Sequence, residues 1–150
     1  MTVNAVGKNC IEVDWAYLAG LIDGDGAIMA TIEKHNEKKF RFRVRITIKV
    51  TQKSKKDILF LPRVFGCGSI RVNRTVHDWI LRDQKQILQI LGMLKKYSRM
   101  KQRQVRIAIK ILQIRVECRD DLIKIAQLAD TLSRYNTRSN NRRINYATMI

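Results

Sequence analysis

Two carboxylates, Asp23 and Asp25, alternate with two glycines, Gly24 and Gly26, directly after the run Leu18-Ala19-Gly20-Leu21-Ile22. Asp14 suits an N-cap, so Trp15 to Ile22 reads as helix, with Gly24 or Gly26 as its end. A carboxylate just past a helix C-terminus sits in negative potential, which disfavours the anion unless a cation is near. Asp25 is thus a poor structural choice and a reasonable metal ligand. Free carbonyls at the same helix end, Gly24's among them, add hard oxygens of the kind Mg²⁺ accepts. The four residues Asp-Gly-Asp-Gly alone would fit a plain turn after a core helix.

The helix that must position these acids has an unusual face. Ala16, Gly20 and Gly24 fall four apart, so a partner backbone could approach there more closely than ordinary side chains allow. Leu18, Leu21 and Ile22 point elsewhere, into a core.

The chain has 150 residues, with 30 Lys and Arg against 13 Asp and Glu, a formal charge of +17. That length suits one domain with a real core. Repulsion on this scale opposes self-association unless a polyanion neutralises it, which makes nucleic acid the natural partner. A membrane surface is the rival, but no run of about 20 apolar residues and no signal-type apolar core is present. Cys10, Cys67 and Cys118 are odd in number and far apart, which fits reduced thiols inside a cell. His35 and His77 lack a Cys or second His at ligand spacing, so no zinc site is expected and histidine-cluster nucleases are disfavoured. Met1 to Lys8 lacks the arginine-rich amphipathic pattern of an organelle transit peptide.

After Gly26 the hydrophobic period changes to two. Ile28, Ala30 and Ile32 lie on one side, Met29, Thr31 and Glu33 on the other; His35 to Lys39 is a polar connection. A second run sets Phe40, Phe42, Val44, Ile46, Ile48 and Val50 against Arg41, Arg43, Arg45, Thr47 and Lys49. A basic face can serve solubility alone. Here no acid interleaves to relieve the repulsion, and a twisted two-stranded ribbon fits the major groove, so a DNA-contacting face is favoured.

Ser54 and Asp57 suggest a capping box for a helix to about Phe65 with Gly66 as terminator; Pro62 either falls near a late first turn or kinks it. Ser69 to Asn73 reads as a strand with Ile70 and Val72 inward and Arg71 and Asn73 outward. A hairpin through Arg74 and Thr75 returns as His77 to Leu81, with Trp79 and Leu81 buried and Asp78 and Ile80 on the opposite face. Ile87, Leu88, Ile90, Leu91 and Leu94 make a helical stripe, and Leu122 to Leu132 another. Val105 to Val116 begins like a strand but is long and lacks turn residues, so a buried helix is expected. From Ser133 on the chain is rich in Arg and Asn. Arg134, Arg138, Arg142 and Arg143 could contact phosphates, and a frayed basic tail is an equal reading.

The stretch Leu18 to Gly26 resembles the signature of the LAGLIDADG homing endonucleases, departing from it only at Gly24, where alanine is usual. The order helix, two strands, helix, two strands, helices extends the resemblance over nearly the whole chain. It is similar to the single-motif homodimeric members of the chloroplast-intron type. The resemblance implies an α+β, αββαββα fold with a four-stranded antiparallel DNA-binding sheet and additional C-terminal helices. It would be one endonuclease domain, with its motif helix at about 14–24, its sheet within about 26–82 and its last helices at about 84–150.

Carried onto these positions, the resemblance implies that Asp25 ligates Mg²⁺ with Gly24 lending its carbonyl, Mn²⁺ substituting, while Asp23 is structural. It picks out Gln52 beside the catalytic water, Lys56 in the solvent network and Lys101 as an active-site lysine. Without it, Gln52 reads as a strand end and both lysines as surface residues. Ala16, Tyr17, Gly20 and Gly24 would form the homodimer interface. Arg41, Arg43, Arg45 and Lys49 would lead in reading DNA, with Met29, Thr31, Glu33, Arg71, Asn73, Asp78 and Ile80 in support and Arg138 and Arg142 on phosphates. The implied reaction is a double-strand break with short 3′ overhangs in a long pseudopalindromic site, initiating intron mobility, in an organelle. An RNA maturase that assists splicing and a non-catalytic DNA-binding regulator on the same fold are the alternatives, with RNA as a less favoured partner.

Overall fold

The computed structural model describes residues 6–136 and Ala147. Helix α1 spans Glu12–Asp25, longer than expected at both ends. Asp14 is not the N-cap: it lies in the first turn, and its carboxylate reaches back to accept from the Ile11 N–H at 3.0 Å. Glu12 and Asp14 there complement the positive end of the helix dipole. Neither Gly24 nor Gly26 breaks the helix by a left-handed turn. Gly26 is extended and donates its N–H to the Ile22 carbonyl, so α1 passes into strand β1, Gly26–Lys34, with no linker. Glycine is required at that point by space: a Cβ on Gly26 would stand 2.6 Å from the Ile22 Cα.

Strand β2, Phe42–Gln52, pairs antiparallel with β1, from Gly26 opposite Val50 to Lys34 opposite Phe42. The strand opens two residues later than the alternation suggested. Arg41 adopts φ of 62° in the connecting turn, donating its N–H to Lys38 O and accepting from His35 N, so it stands outside the alternating row.

The helix expected from Ser54 onward is divided. A 3₁₀ turn, Lys55–Asp57, precedes helix α2, Phe60–Phe65, and Ser54 forms no side-chain cap. Pro62 sits in the first turn of α2, where a missing N–H leaves no intrahelical bond unmade. Gly66 ends α2 at φ of 66° with its N–H on Pro62 O.

Strands β3, Ser69–Asn73, and β4, Val76–Leu81, form a hairpin around Arg74 and Thr75, and the sheet order is β1-β2-β4-β3. Val72, expected inward, is 68% exposed because β3 is an edge strand whose hairpin end overhangs the core. Asp78 and Ile80 do lie on the face opposite Trp79 and Leu81, yet both are buried, covered by neighbouring side chains of that face.

Helix α3, Gln84–Tyr97, is capped by Asp83, which accepts from Gln86 N at 3.0 Å. Past the end of β4, the Gln84 amide takes the place of a strand: it accepts from Ile46 N and donates to Ile46 O, both at 2.9 Å. Helix α4, Gln102–Gln113, confirms the helical reading of Val105 onward, and α5 spans Arg119–Asn136. These helices and α1 cover one face of the sheet and share its core, with Leu18, Ile22, Ile28, Ile46, Ile48, Trp79, Leu91 and Ala126 almost wholly buried. The other face is left to solvent. No helix of the described residues is long and apolar enough to cross a membrane.

Gly68 offers a test of this packing. It lies at φ of 79°, and a Cβ there would stand 2.3 Å from Nε1 of buried Trp79, whose indole donates to Cys67 O at 3.1 Å. Gly68→Ala is expected to destabilise the fold by about 1–3 kcal/mol, read from the midpoint of urea unfolding; an unchanged midpoint would refute this packing.

Candidate active site and basic groove

Because α1 runs straight into β1, and Gly26 pairs with Val50, the base of α1 lies beside the end of β2. Gln52, the last residue of β2, donates its Nε2 to Asp25 Oδ2 at 2.8 Å. The exposed acid thus has one oxygen engaged by a neutral donor. Lys101, which precedes α4, donates its ammonium to the Asp23 carbonyl at 3.0 Å. Lys56 lies on the exposed 3₁₀ turn after β2 and takes no part in these bonds.

Asp23 turns the other way. Its buried carboxylate accepts from Ser98 Oγ at 2.5 Å, Arg99 N at 2.8 Å and Met100 N at 3.1 Å, holding the α3–α4 connection against the base of α1. Burial alone would raise its pKa, but the Ser98 hydroxyl and the amides of Arg99, Met100 and Lys101 outweigh that and leave it below the ordinary aspartate value. One acid of the motif therefore fixes the loop that carries Lys101, while the other faces outward.

The donors suit a hard cation only in part. At the foot of α1 the Ile22 and Asp23 carbonyls are taken, by Gly26 N–H and the Lys101 ammonium, while Gly24 and Asp25 lie on the exposed side. A carboxylate and a helix-end carbonyl fit Mg²⁺, which keeps waters and takes few protein ligands. Among the described residues no group of three or more His, Cys, Asp or Glu gathers.

Ala16, Tyr17, Gly20 and Gly24 all lie exposed along α1, and Val13 and Tyr17 are 68% and 59% exposed. A Cβ on Gly20 or Gly24 would meet nothing within 4 Å. Among the described residues, nothing requires smallness at these two positions.

The open face of the sheet forms a groove of about 280 Å³. Of the expected DNA-contacting residues, Met29, Thr31, Glu33, Arg45, Lys49, Arg71 and Ile80 line it. Thr47 and Arg82 line it too. Thr47 follows from the same alternation, whereas Arg82 lies just past β4, where no periodicity points to it. Arg43 does not line this groove but a separate cavity with Lys38, Lys39, Phe40 and residues of α4 and α5, and exposed Arg41 stands in the turn before β2. Asn73 is exposed and donates to Asp78 Oδ2 at 3.2 Å. Asp78 is not available as a surface acid: Thr51 Oγ1 donates to it at 2.6 Å, and Arg71 Nε lies 3.6 Å away. Burial would raise its pKa, but Thr51, Asn73, Lys49 and Arg71 together lower it. Arg138 and Arg142 lie outside the described residues.

Residues 18–114 match the family model described as LAGLIDADG endonuclease. The chain belongs to the LAGLIDADG endonuclease family. It is 35% identical over 100 residues to DNA endonuclease I-CreI of Chlamydomonas reinhardtii, a match covering 65% of this chain and 61% of that enzyme. To DNA endonuclease I-CvuI of Chlorella vulgaris it is 26% identical over 124 residues, covering 79% of this chain and 77% of that enzyme. The solved structure of I-CvuI in complex with the I-CreI target, in the presence of Mg and with DNA not cleaved, superposes with a TM-score of 0.82. The identity there is 25%, over 91% of this chain and 89% of that one. An archaeal intron-encoded homing endonuclease, I-Vdi141I, complexed with DNA, shares the fold at a TM-score of 0.76 and 16% identity, over 92% and 96%. The LAGLIDADG motif of this chain thus sits on the α+β frame of its family.

Ionised Asp23 and Asp78 both stabilise this frame. With folded pKa values below the ordinary 3.8, their contribution is complete above that value and is lost as pH falls through the lowered ones. Urea midpoints should therefore drop steeply below about pH 4, and Asp23→Asn should lower the midpoint at pH 7 while flattening the acid limb. An acid limb equally steep in that variant would remove Asp23 from the account.

Proposed function

We propose that this chain is a homing DNA endonuclease domain that works as a homodimer on double-stranded DNA, cutting both strands of a long pseudopalindromic site. The observation that carries the reading is the outward Asp25 at the foot of a helix whose exposed face has two glycines that nothing among the described residues requires. Two such helices packed face to face would bring two Asp25 side chains together, as cleavage across a minor groove about 6 Å wide demands. Complexes of relatives with DNA support the choice of substrate.

Asp25 and the Gly24 carbonyl would hold Mg²⁺, with Mn²⁺ able to substitute. The bound cation would supply Lewis-acid stabilisation of charge at phosphorus and activation of water near neutral pH. Gln52 fixes one oxygen of Asp25 through its Nε2 and keeps its own carbonyl to accept a hydrogen bond from the attacking water and so orient it. The Lys101 ammonium, held on the Asp23 carbonyl at the foot of α1, would offset the negative charge that develops on the phosphate and leaving oxygen. Lys56 belongs to the solvent around this centre. The groove faces the major groove, where Arg45, Lys49 and Arg71 meet base edges or phosphates. An intron-encoded origin in an organelle fits the reading.

Purified protein with Mg²⁺ is expected to linearise a plasmid carrying its insertion site and leave short 3′ overhangs. Asp25→Asn should bind that site and not cut it, and equal cutting by the variant would end the metal-ligand role. Gly20→Leu should weaken dimerisation, read by analytical ultracentrifugation with DNA, and with it cleavage. A fully active Gly20→Leu dimer would remove the close-packing argument. Affinity should fall steeply with salt, each neutralised phosphate adding about 0.9 to the log-log slope, and a shallow slope would count against an extended backbone footprint. Splicing assistance without cleavage would instead favour the maturase reading.

A further inference from the structure

Among the described residues, Glu33 is the only acid lining the basic groove, beside Arg45, Lys49, Arg71 and Arg82. A free carboxylate there would repel phosphate, so its presence on a DNA-binding face needs a reason. It is paired. Glu33 stands opposite Arg43 across the β1–β2 ladder, and its Oε2 accepts from Arg43 Nε at 2.9 Å. The same oxygen lies 4.0 Å from Nη1 of Arg45, whose Nη2 donates to the Arg82 carbonyl at 3.1 Å. Glu33 and Arg43 are both about 40% exposed or less, and an ion pair that open to water contributes little to stability. Its effect is geometric. With Nε committed, Arg43 keeps its Nη1–Nη2 edge as a pair of parallel donors, the arrangement that matches guanine O6 and N7.

Resting on the endonuclease reading, we infer that Glu33 is a positioning residue that holds Arg43 so that its terminal edge reads a guanine, and that Glu33 reads no base itself. A direct reader would accept from cytosine N4 at its own base pair. In this sheet Glu33 Oε2 is engaged by the Arg43 hydrogen bond at 2.9 Å, with the Arg45 guanidinium a looser ion pair at 4.0 Å. Ordering Arg43 before DNA arrives removes rotamer entropy that binding would otherwise have to overcome. The carboxylate therefore favours selectivity at some expense of Coulombic attraction.

The test is selection from a randomised duplex pool by the purified full chain in EDTA, so that binding is read without cutting, followed by sequencing of the bound fraction. The wild-type protein should prefer guanine at one pair of each half-site, and Arg43→Ala should lower that preference about ten-fold or more. Glu33→Gln should lower it at the same pair, and the double variant should lose no more than Arg43→Ala alone. Arg43→Lys, which keeps the charge and loses the fork, should behave as Arg43→Ala does. A Glu33→Gln profile altered at a different pair would make Glu33 a reader and overturn the inference. A profile identical to wild type's for Glu33→Gln or for Arg43→Ala would overturn it as well. If the wild-type chain selects no sequence, the endonuclease reading itself falls, an outcome distinct from the others.

Discussion

The junction at Gly26 governs the rest of the molecule. There α1 meets β1 with no intervening residue, the Gly26 N–H still bonded to Ile22 O and its α-carbon too close to the Ile22 backbone for any side chain. A linker of even a few residues would let helix and sheet turn independently. Without one, the outward face of α1 and the outward face of the sheet are set at a fixed relation, with Asp25 at their meeting point. Gln52 reaches Asp25 only because the β1–β2 register starts at this same glycine, opposite Val50.

The acids of a chain with net charge +17 are spent with corresponding economy. Asp23 binds the α3–α4 connection, Asp78 gathers Thr51, Asn73 and Arg71, and Glu33 holds Arg43. Each is satisfied by donors of its own surroundings, so none presents an idle negative charge to a polyanion. Asp25 differs: it is exposed, and its single bond in the chain comes from a neutral amide. Near a helix C-terminus that position is electrostatically unfavourable without a cation. The contrast sets Asp23, Asp78 and Glu33, held by donors of their own surroundings, apart from Asp25, the acid proposed for the chemistry.

Much of this was legible in the residues. Period-two alternation located β1 and β2 and their outward rows, because a one-sided sheet forces polar and apolar residues onto opposite faces. The small residues of α1 and the odd acid after it marked the site. What escaped were features set by tertiary context. Arg41 continues the alternation in sequence, yet the turn closing onto His35 and Lys38 takes it into a left-handed conformation. Asp14 looks like an N-cap, but from within the first turn it can bond backward to Ile11. Asp78 alternates as an outward residue and is buried all the same, since cross-strand neighbours, not solvent, cover that face. Arg82 has no pattern to announce it: its place in the groove follows from where β4 happens to stop. Gln52, Lys56 and Lys101 were visible only through the family resemblance, because their residue types are ordinary at strand ends and surfaces.

Glycine in the middle of an exposed helix face costs about 0.5–1 kcal/mol relative to alanine, and Gly20 and Gly24 both sit where alanine would fit this chain without contact. Tyr17 and Val13 leave large apolar surface on the same helix. Tyr17 packs edge-on against Phe60 at 5.7 Å yet remains largely exposed, and among the described residues nothing crowds the two glycines. A second helix packed across this face, as proposed, would account for both, since the glycines permit backbone approach and the larger residues would bury against the partner. On the proposed reading, the same approach would bring the partner's acid toward Asp25 and add its oxygens beside the metal. In such a dimer, packing and metal binding would be one constraint expressed twice, because the spacing of the helices would set the spacing of the acids at their feet.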